Sequence, residues 1–323
     1  MIVLGEILAL SALAMFSASV LLTKVASSRL ELNLGFLVAV TVNVLFCGLL
    51  LVVQLLLRHQ GPQWSSYGFL LFLATGFFST YLGRYLFYDS IVKLGPAKAS
   101  VMQTSNPLFI VIIAWIFLDE ILTPYDVTAV ALVLSGLFLV SYVPGTFSTK
   151  QIYARPPTEA GQVERLEASS SRFFLGSLIG SGIFLAISGS ASYAVGNVLR
   201  GVAIQEWNEP ILGALIGAVL GMALHFLTSL HNTKRLFHKL AQADRAGVLV
   251  YALTGVLTIS AQVCVIASMR YIPVSIANLI TLSTPVLVTP ASYFLLKNRD
   301  GITLRTILGS TLVLAGITII LLV

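Results

Sequence analysis

The side chains able to do chemistry are few, and they sit inside apolar sequence. Tyr81, Arg84, Tyr85 and Tyr88 recur at i, i+3, i+4 and i+7, the spacing of one helical stripe. An arginine in that setting could hold a carboxylate or phosphate, with the tyrosines stacking or donating hydrogen bonds. The competing reading is a structural pair with Asp89, or a side chain reaching toward a nearby interface. Ser100, Gln103 and Pro107 fall three to four residues apart, with Asn106 beside them. Asn278, Thr281 and Pro285, with Thr284 beside them, repeat the pattern later in the chain. Pro107 and Pro285 each remove a backbone hydrogen bond, which frees a carbonyl for a ligand or water and kinks the helix. Tyr193 and Asn197, one turn apart, are further polar candidates, and Gln262 stands at the approximate equivalent of Arg84.

Catalytic constellations are missing from the sequence. It holds no glycine-rich phosphate loop with lysine and serine, no nucleophile elbow, no zinc signature and no paired carboxylates. The expectation is a protein that is not an enzyme, with no catalytic residues, no metal and no cofactor. Cys47 and Cys264 lie in different apolar segments and read as small buried hydrophobes. The four histidines, His59, His225, His231 and His238, lack metal-ligand spacing.

The elements that carry these residues follow from composition. Apolar residues are 57% of the 323, charged residues 10%, and mean hydropathy is +0.94. A soluble chain carries roughly a quarter charged residues, so this one must face a lipid bilayer. Segments of about 20 apolar residues read as spans. They lie at 3–23, 34–57, 67–92, 97–118, 127–143, 173–199, 210–231, 246–269, 272–296 and 302–323. Met1 to Leu22 lacks a basic start and a cleavage site and reads as the first span rather than a signal peptide. The fold class is therefore an all-α, multi-pass integral membrane protein with ten transmembrane helices.

Residues 144–172 are rich in proline, serine and charge and form a polar linker. It separates a first five-helix repeat, 1–143, from a second, 173–323. The halves correspond: Ser105-Asn106-Pro107 matches Ser283-Thr284-Pro285, and Gly136 matches Gly316. Five crossings start the second copy on the opposite face, so the repeats must be inverted, and inverted repeats around a midplane site are a transporter architecture. The matched polar faces are read as lining a substrate path, against a plainer role in helix packing. Gly213, Gly217 and Gly221, like the other small residues Gly176, Gly180, Gly182 and Gly189, would serve packing within the bundle or a homodimer.

Most of the 19 Lys and Arg fall in loops that follow odd-numbered spans, while Arg58, Arg200 and Arg270 are assigned to even loops. The positive-inside rule then puts the odd loops in the cytoplasm and both termini outside. Trp64, Trp115 and Trp207 gather near the even face, as interfacial anchors do. The net charge of +6 is a topology signal and not a sign of nucleic-acid binding.

Leu4-Gly5-Glu6, Gly95-Pro96-Ala97, Leu118-Asp119-Glu120-x-Leu122-Thr123, Gly136 and Gly316 together resemble the ten-helix, EamA-type branch of the drug/metabolite transporter superfamily. The chain departs from the family at Ala14-Met15-Phe16-Ser17, where relatives have a tryptophan, and at Leu296-Lys297-Asn298 in place of a second Leu-Gly-Glu. The resemblance implies a secondary active transporter, an exporter of amino acids or related small polar metabolites, in a prokaryotic plasma membrane. It also implies cytoplasmic termini, against the charge count. Rival cargoes are phosphorylated or nucleotide sugars and lipophilic drugs; the rival classes are a membrane-embedded enzyme or a scaffold. Within the transport reading Asp89 could exchange a proton and couple efflux to a proton gradient, against a plainer salt bridge with Lys93.

Overall fold

In a bilayer each backbone N–H and C=O must find a partner within its own segment, which an α-helix supplies. The computed structural model describes residues 2–27, 29–30, 32–58, 61, 64–94, 102–120, 123–141, 182–228, 243–296 and 304–322. Among them every regular element is helical. The first half holds α1 (Ile2–Ala26), α2 (Leu32–Leu57), α3 (Ser66–Thr75), a π-helical segment (Gly76–Leu82), α4 (Gly83–Leu94), α5 (Asn106–Phe117) and α6 (Pro124–Ser141). The second holds α7 (Gly182–Glu206), α8 (Pro210–Thr228), α9 (Arg245–Ser268), α10 (Val274–Leu282), α11 (Thr284–Leu296) and α12 (Leu304–Leu322). The linker at 144–172 and Ser100 lie outside the described residues, as does the side chain of Tyr88.

Six helical stretches are long and apolar enough to cross a membrane: Val3–Ala26, Leu34–Leu57, Ser66–Phe87, Gly182–Glu206, Pro210–Leu227 and Arg245–Ser268. Four more are apolar but shorter: Asn106–Phe117, Pro124–Val140, Val274–Val288 and Leu304–Ile319. Leu45, Leu56, Leu249 and Leu304 are more than 60% exposed, a belt suited to hydrocarbon rather than water. Local signals set several starts. Pro124 and Pro210 open their helices, where a missing N–H costs nothing. Asp244 caps α9 by accepting from the Ala246 and Gly247 N–H groups. Hydroxyls inside the apolar helices satisfy themselves on the preceding turn, as Thr41 Oγ1 does on Leu37 O at 2.8 Å.

Packing between the halves follows an exchange rule. α1 lies along α9, and, with the halves swapped, α3, the π segment and α4 lie along α7. α2 on α9 is matched by α8 on the π segment, and α5 on α7 by α10 and α11 on α1. The contacts α6 with α12, α5 with α10 and α2 with α8 join corresponding elements to each other. At the α6–α12 crossing a Cβ added at Gly136 would lie 2.5 Å from Gly309 O. Only glycine permits that backbone approach. The Gly213, Gly217 and Gly221 face meets Phe72, Gly76 and Thr80 of the same chain, so these three serve packing within the bundle.

Two local departures from α-helix shape the interior. The third span changes to π geometry at Gly76–Leu82, and such bulges concentrate at functional sites. Turns at Thr104–Ser105 and at Ser283 interrupt the helices just before Asn106-Pro107 and Thr284-Pro285. The cause is the same at both: a proline cannot donate to the carbonyl four residues back. The sixth span, α7, corrects the sequence reading. Expected to end at residue 199, it continues to Glu206, so Arg200 is no loop charge but lies inside α7, 8% exposed.

Candidate functional site

The interrupted helices and α7 enclose a cavity of about 460 Å³. Gln103, Thr104, Asn106 and Pro107 wall one side, and Asn278, Thr281, Leu282 and Pro285 the corresponding side from the other half. α7 contributes Tyr193, Asn197 and Arg200, and α9 contributes Gln262 and Val265. Phe16, Phe87 and Leu137 complete the lining with apolar surface. The amides thus face a void instead of a neighbouring helix, the setting in which mid-membrane polar groups are tolerated.

The carbonyls released by the two prolines have found protein partners. Thr284 Oγ1 donates to Thr281 O at 2.9 Å, and Ser190 Oγ approaches Gln103 O at 3.4 Å. Thr284 itself is therefore turned to its own backbone and is not among the lining residues. Thr281 Oγ1 donates to Ala277 O at 2.8 Å, and Asn278 Nδ2 to Val274 O at 2.8 Å. The amide oxygens Gln103 Oε1 and Asn106 Oδ1, by contrast, are buried and accept from nothing among the described residues.

Arg200 is the one formally charged side chain among the described residues that line the cavity. Its Nη1 donates to Asn197 Oδ1 at 2.7 Å and its Nη2 to Ser79 Oγ at 3.2 Å. Ser79 belongs to the π segment, and its hydroxyl donates to Thr75 O at 2.8 Å. Gly196 lets α7 come close enough for this, since a Cβ there would sit 2.7 Å from Ser79 Cβ. The ion pairs among the described residues, Arg29 with Asp244 and Arg58 with Glu209, do not involve Arg200.

A side pocket of about 90 Å³ shares Arg200 and Gln262 with the cavity and reaches Asn43, Thr75, Thr80 and Arg84. Arg84 stacks over the Phe36 ring, 4.3 Å from its centroid, and its buried Nη1 has no hydrogen-bond partner. Asp89 does not pair with it; neither does Asp89 line either space. Tyr81 and Tyr85 of the third span keep to a stripe of their own, apart from Arg84. Phe77, Tyr81 and Tyr85 stack along the third span, and Tyr85 is 58% exposed. Neither Tyr81 nor Tyr85 lines the cavity. Sequence reasoning missed Arg200 and Thr104; the signal available for the first was Asn197-x-x-Arg200, one helical face three residues apart.

The sequence model of the EamA-like transporter family matches residues 3–142 and again 180–322. No curated protein matches. A solved structure described only as the crystal structure of a protein is similar over 98% of this chain and 96% of its own length, with a TM-score of 0.69. The two are 13% identical, so that likeness speaks for the fold alone.

Proposed function

The chain belongs to the EamA-like transporter family, a multi-pass membrane protein with two copies of the family repeat, and from that premise we propose that it is a secondary transporter of a small polar metabolite, such as an amino acid. Transport proceeds by alternating access, with export as the direction. The single observation that carries the reading is the central cavity, walled by polar groups from both halves at the two proline-interrupted helices. In this reading ten helices span the bilayer as two inverted five-helix repeats, 1–143 and 173–323, joined by the linker at 144–172. The exchange of partners between the halves supports a two-fold relation between them. Rocking of one half against the other would then open the cavity to each side in turn. Asp89 is the candidate for proton coupling.

Reconstituted protein in liposomes tests this by counterflow across a metabolite panel, with and without a pH gradient. Saturable exchange of a small polar solute is the expected result. Absence of exchange for the whole panel would remove the transport reading.

A further inference from the structure

Arg200 is a buried charge inside α7, and its hydrogen-bond partners among the described residues, Asn197 and Ser79, are neutral. A charge within an apolar membrane helix is costly unless it serves a partner or a ligand. A neutral amide would tie α7 to the π segment without that cost. A guanidinium has five N–H donors, and two are used among the described residues, while the group borders a cavity large enough for a metabolite. Asn197 and Ser79 hold two of its nitrogens and so fix the plane of the fork. Gln103 and Asn106 line the same cavity, and their amide oxygens, covered in this conformation, accept from nothing among the described residues. A buried acceptor left in this way is destabilising until a donor reaches it. A guanidinium with spare donors thus lines the same cavity as two amides whose acceptor capacity is unused, with no carboxylate on the described lining to compete.

We propose that Arg200 is the oxyanion anchor of the transport site and that Gln103 and Asn106 receive hydrogen-bond donors from the same cargo. The ligand class is a small metabolite with a carboxylate or phosphate-type group at one end and N–H or O–H donors at the other. The proposal rests on the transport reading for its biological meaning, but binding can be measured without flux.

The test uses full-length protein in nanodiscs and follows thermal protection and equilibrium binding. Four probes differ at one end only: alanine, alaninamide, propionate and 1-aminoethylphosphonate, repeated on a phenylalanine skeleton to cover size. Alanine or the phosphonate is expected to bind, the better of the two identifying the oxyanion; alaninamide is expected not to bind. Propionate should bind more weakly than alanine, and Asn106→Leu should shrink that difference. Arg200→Gln should weaken the oxyanion probes by about a hundredfold and Arg200→Lys by roughly tenfold, the range for lost charge-assisted bonds. Should Arg200→Gln not fold, the lysine variant and the wild-type probe series decide the matter. Binding of alaninamide equal to alanine, or unchanged alanine binding in Arg200→Gln, overturns the anchor. So does silence from every oxyanion probe. Flux of neutral or cationic solutes with no oxyanion binding would sink the anchor and leave transport standing. Oxyanion binding without flux of any solute would do the reverse.

Discussion

Glu120 accepts from the Val274 N–H at 2.6 Å and from the Ser275 N–H and hydroxyl, at the start of α10. The first turn of a helix has no earlier carbonyls to receive its N–H groups, and Pro273 just before it has no capping side chain. A carboxylate from the end of α5 fills that role across the two halves, where it also complements the helix dipole. Glu120→Ala is expected to lower stability by about 1–2 kcal/mol, the usual cost of a lost cap, and Glu120→Gln by less, because one acceptor oxygen remains. Denaturation in mild detergent, followed by tryptophan fluorescence, measures both; equal stability of all three proteins would show that the cap contributes nothing. Glu120 stood out in the sequence as part of Leu118-Asp119-Glu120-x-Leu122-Thr123, but its partner did not, since 154 residues separate it from Val274. Arg200 was hidden for a different reason. A window of about 20 apolar residues was taken to end before it, and a basic residue at the margin of such a window reads as a loop charge.

The proline-interrupted helices were legible because proline acts through its own chemistry: no N–H to donate. The tripeptides Ser105-Asn106-Pro107 and Ser283-Thr284-Pro285 mark the breaks wherever the surrounding chain goes. What closes the freed carbonyl depends on a hydroxyl rotamer or a neighbouring helix, which spacing does not reveal. The π segment was illegible altogether, because Gly76–Leu82 carries no residue type or spacing that an α-helix would not. Arg84 and Tyr85, neighbours in α4, point about 100° apart, so Arg84 reaches the side pocket while Tyr85 stacks on Tyr81 away from it. A coupling experiment follows for the ninth span. Thr284→Val leaves Thr281 O without its 2.9 Å donor, which should cost about 1–2 kcal/mol. Pro285→Ala supplies a backbone N–H aimed at the same carbonyl. The double variant should therefore be more stable than the sum of the single changes, by roughly 1 kcal/mol in a thermal double-mutant cycle. Strict additivity would mean that the carbonyl is satisfied in some other way.

At the scale of the molecule, two lines of argument give opposite orientations, and the structure bears on one of them. With Arg200 inside α7, the basic residues left in loops after even spans are Arg58 and Arg270. Both are engaged locally, Arg58 on the buried Glu209 and Arg270 on Gln205 at 2.9 Å. Acidic Asp119, Glu120, Asp126, Glu206 and Glu209 share that face. With one basic residue fewer on this face, the bias of Lys and Arg toward the opposite face is larger than the sequence count allowed, and it favours that face as cytoplasmic. Cytoplasmic termini, which the family resemblance implies, would require the reverse. Single cysteines at two positions separate the alternatives, on a background with Cys47 and Cys264 changed to alanine. Asn208→Cys, exposed between α7 and α8, is expected to react with a membrane-impermeant maleimide in intact cells. Ser148→Cys, beyond the fifth span, is expected to react only after permeabilisation. The opposite pair of results would overturn the charge argument. It would also reverse which side of the membrane the cavity must reach to release its cargo outward.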